Sequence, residues 1–290
     1  MTTSRKLVTI QTPAPHQGFL GKGHTARAVI DGNFIQSDPF VILMDDMLDK
    51  KDGEPAGGPH PHAGFETVSL LLEGEIGDTA HKMKGGDFQM MTAGSGVIHT
   101  ETIDTETQLR LLQLWLILPK KDRWTTPRVQ DLPAAHVPVA IEEGVLLKVY
   151  SGSLAGVTSP VKNYVPLIVA DIHMQPNART VQHIPVAYNA FIYVLEGSVK
   201  VGADGQTLHK NQVGWFDRED ADSDSELIFE SIEQGARFVL YAGLPQGDPI
   251  VSHGPFIGDT QDDIRRLYNE YWRGKMEHIS EVEESQRMTW

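Results

Sequence analysis

Gly58-Pro59-His60-Pro61-His62-Ala63-Gly64-Phe65-Glu66-Thr67-Val68 decides how this chain is read, together with Ala93-Gly94-Ser95-Gly96-Val97-Ile98-His99-Thr100-Glu101 about forty residues later. Each half carries a pair of ligand-type side chains at i and i+2. Residues two apart on a β-strand point to one face. His60 and His62 therefore share a face, as do His99 and Glu101. Two such pairs on neighbouring strands of a small barrel converge on a point, giving three imidazoles and one carboxylate, a set suited to a divalent transition metal. A proline-rich surface loop can also hold a His-x-His pair, but three features separate this one from that case. The first pair runs directly into the apolar, β-prone run Thr67 to Leu72. The second follows glycine-rich turn residues. Lys84-Gly85-Gly86-Asp87 between them reads as a turn joining strands.

The surrounding chain narrows the possibilities. Its 290 residues suffice for one large or two ordinary domains, each able to bury a core. There is no cysteine, which excludes a disulfide framework, a thiolate nucleophile and a thiolate metal site. No apolar run approaches the roughly eighteen residues of a membrane span, and the first residues lack the apolar segment of a signal peptide. The expectation is a cytoplasmic protein without membrane attachment. A net charge of −14 opposes phosphate backbones, and the basic pairs Arg5-Lys6, Lys50-Lys51, Lys120-Lys121 and Arg265-Arg266 are scattered, so no direct nucleic-acid partner is expected.

Taken in order, the chain predicts mostly strands. Ala26 to Ile30 is apolar, Asp38 to Met44 reads as a short buried strand, and Asp45 to Pro59 as a polar loop that could rim the metal pocket. Strands follow over 64–74 and 86–91. Leu109 to Leu118 is apolar on both parities, as in a strand buried on both faces. Pro119 to Pro138 reads as a connector, and strands resume at Val145 to Tyr150 and Leu167 to His173.

Glu66 to Gly74 parallels Asn189 to Gly197, an offset of 197 − 74 = 123 residues. A period that long means a duplicated domain, and short strands with glycine turns favour a double-sheet jelly roll in each half. At this offset His60 maps to His183, but His62 maps to Pro185 and Glu66 to Asn189, and no histidine lies between Lys210 and Ser252. The second half is therefore expected to be metal-free. Near the end, Ile264, Leu267, Tyr268 and Tyr271 follow i, i+3, i+4, i+7, predicting an amphipathic helix capped by Asp259 or Thr260. The tail from Gln286 is expected to fray. His81 and His253 are the remaining histidines expected nearest the pocket.

His60 through Val68, Leu72-Glu73-Gly74, Gly86-Asp87-Phe88-Gln89, and Met91-Thr92-Ala93-Gly94 through His99-x-Glu101 resemble the pirin family of bicupins. Ser37-Asp38-Pro39-Phe40 and Gly254-Pro255-Phe256 extend the resemblance over nearly the whole chain. It implies an all-β protein of two tandem cupin domains with a C-terminal amphipathic helix. Residues 1–135 would form an N-terminal metal-binding cupin, and 136–290 a metal-free C-terminal cupin plus the helix. The parity of the strand leaves Glu66 and Glu101 both open as the fourth ligand, unless Gly64 resets the phase. The family pattern selects Glu101, giving His60, His62, His99 and Glu101. It also implies Fe2+, although Zn, Mn, Co, Ni and Cu suit the same donors.

The activity implied is that of a quercetin 2,3-dioxygenase acting on a phenolic or flavonol substrate with O2, with Glu101 as catalytic base. The same resemblance equally implies a non-catalytic, redox-sensing regulatory protein with a protein partner. Family members commonly carry Arg where Ala63 and Ser95 stand and Trp where Met90 stands, so the pocket is expected to differ in shape and charge. Loss of those arginines also weakens a third reading, a sugar isomerase.

Overall fold

The computed structural model describes residues 3–32, 34–77, 82–202 and 204–290, and its chain divides into two compact units. Each is an all-β cupin domain.

One unit comprises residues 15–36, 40–136 and 246–290. Among the described residues its sheet has eight strands. In order across the sheet, its central members are Phe88–Thr92, Phe65–Glu73, Thr107–Ile117, Phe40–Lys50 and His24–Ile30. The Phe65–Glu73 strand is buried at every position but its last, with Glu66, Thr67 and Ser69 buried among its apolar residues. On one face of this sheet Leu48, Leu71, Met83, Ile103, Leu109 and Leu111 form a compact apolar cluster. A separate two-stranded ribbon, Pro59–His62 against Val97–Thr100, carries the histidines.

The other unit comprises residues 1–14, 37–39 and 137–245. Its central strands are Val213–Phe216, Asn189–Val201, Asp224–Gly243, Leu167–Met174 and Val145–Ser151, again in order across the sheet. Advancing the first unit's strands by 123 residues brings each onto or beside its counterpart here, in the same neighbour order. The internal repeat read from the sequence is thus a repeat of topology.

Several expectations change. The division falls near 136, but the ends of the chain depart from the domain limits 1–135 and 136–290. Residues 1–14 join the second unit because Leu7–Gln11 pairs with Val213–Phe216 and Thr3–Ser4 runs parallel to Asp224–Gly243. Arg5 locks this segment in place. Buried, it donates to the carbonyls of Pro185, Val186, Tyr188 and Asp217 and to Ser225 Oγ. The helix Gln261–Trp272 belongs to the histidine-bearing unit, where Ile264 and Leu267 pack with Ala63, Phe256 and Met276. Its N-cap is Thr260, which forms a capping box with Asp263.

The polar stretch from Asp45 is not a loop until after Lys50, since Phe40–Lys50 is one strand. Its two buried carboxylates are partnered: Asp45 receives two hydrogen bonds from Arg110, and Asp46 pairs with His24. The supposed connector 119–138 contains the strand Arg128–Leu132, and the tail expected to fray pairs with it through Arg287–Thr289. Among the described residues no helix is long and apolar enough to cross a membrane.

Candidate metal centre

The ribbon sets the geometry of the three imidazoles. Its antiparallel register places His99 directly opposite His60 and Val97 opposite His62. His60 and His62 share a face by the two-residue period, so all three rings meet on one side. Their ring centroids lie 4.2 Å (His60–His99), 4.8 Å (His62–His99) and 4.9 Å (His60–His62) apart. One nitrogen from each lies within 4.8 Å of the other two, so among the described residues this is the group able to hold a metal ion.

The protonation states suit that role. His60 Nδ1 lies 2.8 Å from the Gly58 carbonyl, so it carries the hydrogen and leaves the Nε2 lone pair facing inward. That Nε2 stands 2.7 Å from His99 Nε2. Burial pushes the His99 imidazole down to about 3, with His60 and His278 adding to the effect. Burial also holds His62 well below its ordinary value, helped by His99 and His60. Neutral imidazole is the ligand form. Two adjacent donors bonded to one ion at about 2.1 Å stand about 3 Å apart at right angles. The His60–His99 pair, at 2.7 Å, is near that spacing, and a nitrogen of His62 lies within 4.8 Å of both.

Glu101 stands apart from this tight group but lines the same cavity as His60 and His62. Its Oε1 accepts a hydrogen bond from Gln113 Nε2 at 2.8 Å. Burial raises its pKa, an effect opposed by His60 and by the Gln113 bond. Gln113, which no local motif marks, is thus part of the site.

Glu66 is not. Gly64 adopts φ +86°, and a Cβ there would sit 1.9 Å from the Ile257 carbonyl oxygen. This left-handed residue breaks the strand between His62 and Phe65 and resets the alternation. Trp115 lines the cavity and pairs with Thr67, so Thr67 shares the cavity face and Glu66 takes the opposite one. There it accepts from Thr92 Oγ1 at 2.6 Å, 3.8 Å from Arg128.

The cavity holds about 490 Å³. Leu48, Ile76, Ile103, Leu109, Leu111 and Trp115 make much of its wall apolar, while Gly57, Gly58 and Pro59 edge it as expected of that loop. His253 does not line it and instead lies beside Tyr268; His81 falls outside the described residues. A histidine that the spacing did not mark, His24, lines the wall with Asp46. In the other unit His183 is about half exposed and faces Glu226 at 3.6 Å, while Asn189 is buried and donates to the Asp38 carbonyl.

Two cupin domains, one carrying three converging imidazoles of which His60 and His62 line a largely apolar cavity, define a bicupin with a candidate metal centre. The model of the pirin family matches residues 24–116, and that of the pirin C-terminal cupin domain matches 169–277. Pirin of Homo sapiens is 33% identical over 283 residues, covering 94% of each chain. Pirin-like protein 2 of Arabidopsis thaliana is 37% identical, covering 82% of this chain and 75% of its own. Among solved structures, quercetin 2,3-dioxygenase of Acinetobacter baumannii superposes with TM-score 0.82 at 26% identity, covering 95% of this chain and 99% of its own. The chain belongs to the pirin family.

Proposed function

We propose that this protein is a metal-dependent dioxygenase of flavonol-like, enolic phenols, using Fe2+ held by His60, His62 and His99 with Glu101 as the fourth ligand. The observation that carries this reading is the convergence of three imidazoles, two of which, His60 and His62, line a largely apolar cavity together with Glu101. The bound ion would supply Lewis acidity at the substrate hydroxyl and a route for electrons to O2. The remaining work falls to the chain's own residues. Trp115 and the leucines of the wall bind the flat aromatic body and exclude water. Gln113 holds Glu101 through Oε1, leaving Oε2 to take the hydroxyl proton as general base. His60 is kept in its ligand tautomer by Gly58.

The similarity to a quercetin 2,3-dioxygenase supports this reading. A non-catalytic, metal-containing regulatory protein is the competing one, favoured by relatives whose names are pirins rather than enzymes. Oxygen uptake with a flavonol by the Fe2+-loaded protein decides between them. Uptake should be lost in His99→Ala together with the metal, and lost in Glu101→Gln with most of the metal retained. A metal-loaded protein that consumes no oxygen across a panel of phenols would overturn the enzymatic reading.

A further inference from the structure

A second polar station lies in the same cavity, built by His24 and Asp46. His24 Nδ1 accepts the Leu20 backbone N–H at 3.1 Å, so Nε2 carries the hydrogen and donates to Asp46 Oδ1 at 2.8 Å. Both residues are buried, and His24 is packed so closely that a Cβ on Gly18 would fall 2.2 Å from its Nδ1. One carboxylate oxygen of Asp46 is thereby committed to His24. The carboxylate lines the cavity, and its side chain keeps 12% exposure.

Register gives the spacing from Asp46 to the residue that holds Glu101. Asp46 pairs with Leu111, so Gln113, two residues further along and holding Glu101, is its diagonal neighbour. Diagonal partners stand about 7–8 Å apart. Leu48, Leu109, Leu111 and Trp115 line the same cavity and offer apolar surface to an aromatic ligand.

We propose that Asp46, positioned by His24, is the specificity-determining anchor for the end of the ligand remote from the three histidines. Its Oδ2, without a hydrogen-bond partner among the described residues, accepts a hydrogen bond from a ring hydroxyl. The assignment rests on the proposed binding of flavonol-like phenols and names which of them fit best. Ligands with an outer-ring hydroxyl are favoured, and ligands with a carboxylate at that end, which brings acceptors and no hydrogen to donate, are disfavoured.

The test is equilibrium binding to the full-length, Fe2+-loaded protein without oxygen, read by tryptophan fluorescence, with elemental analysis of each sample. The probes are quercetin, hydroxylated on its outer rings, and 3-hydroxyflavone, which lacks those hydroxyls. A hydrogen bond to a charged group corresponds to about tenfold or more in affinity, so the wild-type protein should prefer quercetin by that factor. Asp46→Asn keeps the side chain's shape, but with its oxygen held by His24 it turns an amide N–H2 to the ligand instead of an acceptor. It should lose the preference while metal content and 3-hydroxyflavone affinity stay unchanged. His24→Gln, which releases Asp46, should erode the same ratio. A preference that survives in Asp46→Asn, equal weakening of both probes, or no wild-type preference would overturn the anchor alone. Failure of the metal-loaded wild type to bind either probe would overturn the anchor and the proposed function together.

Discussion

Replacing Glu66 by Gln should make the protein more stable at alkaline pH and leave it little changed at acid pH. Glu66 is fully buried, and burial pushes its carboxyl up from 4.5 to about 7 against the opposing pull of the Thr92 bond and Arg128. Between those two values the unfolded chain is ionised at this position while the folded one holds the proton, so stability falls as pH rises through the window. Each pH unit of that window corresponds to about 1.36 kcal/mol, so the cost saturates at about 3 kcal/mol above pH 7. Most of that, about 2–3 kcal/mol, accrues between pH 5 and pH 8. The glutamine amide keeps an oxygen for the Thr92 hydroxyl and has no carboxyl proton to lose. Thermal melts of both proteins at pH 5 and pH 8 should show the variant's advantage growing by about 5 °C across the interval. An advantage that stays constant would refute the reasoning. An advantage that reverses would show that Arg128, at 3.8 Å, outweighs desolvation and that Glu66 is ionised in the fold. The same samples carry a second readout: metal content should be unchanged, since Glu66 lies on the face opposite the cavity.

Three further substitutions probe the scaffold. Gly64→Ala forces a Cβ against the Ile257 carbonyl at φ +86°, so it should cost more than about 2 kcal/mol and lower metal content by displacing His62, both read from melts with elemental analysis. Arg5→Met strips donors from four carbonyls and Ser225 and should lower stability by about 3 kcal/mol or more in denaturant titration, with metal content unchanged because Arg5 belongs to the other unit. Thr260→Ala removes the capping box and should cost about 1 kcal/mol, seen as faster hydrogen exchange in the first turn of Gln261–Trp272.

What could be read from the sequence is what short-range periodicity encodes. His60 and His62 announce a shared face because the strand period is two. The run from Leu109 announces a doubly buried strand, and the duplicated Leu-Glu-Gly at 72–74 and 195–197 announces two domains. What could not be read depends on partners far away in the chain. Asp45, Asp46, Lys50 and Arg5 look like solvated charges by composition, yet all four are buried. Asp45 and Asp46 are supplied by Arg110 and His24, and Arg5 by carbonyls 180 or more residues downstream.

The choice between Glu66 and Glu101 shows the limit most directly. Period alone aims both inward, and only the sign of one φ angle separates them. That sign is set at Gly64, where the Ile257 carbonyl leaves no room for a Cβ. A contact spanning nearly two hundred residues thus decides which carboxylate shares the cavity with the histidines. The ligand face of a cupin strand follows from its local spacing only as far as the nearest glycine whose conformation the rest of the fold dictates.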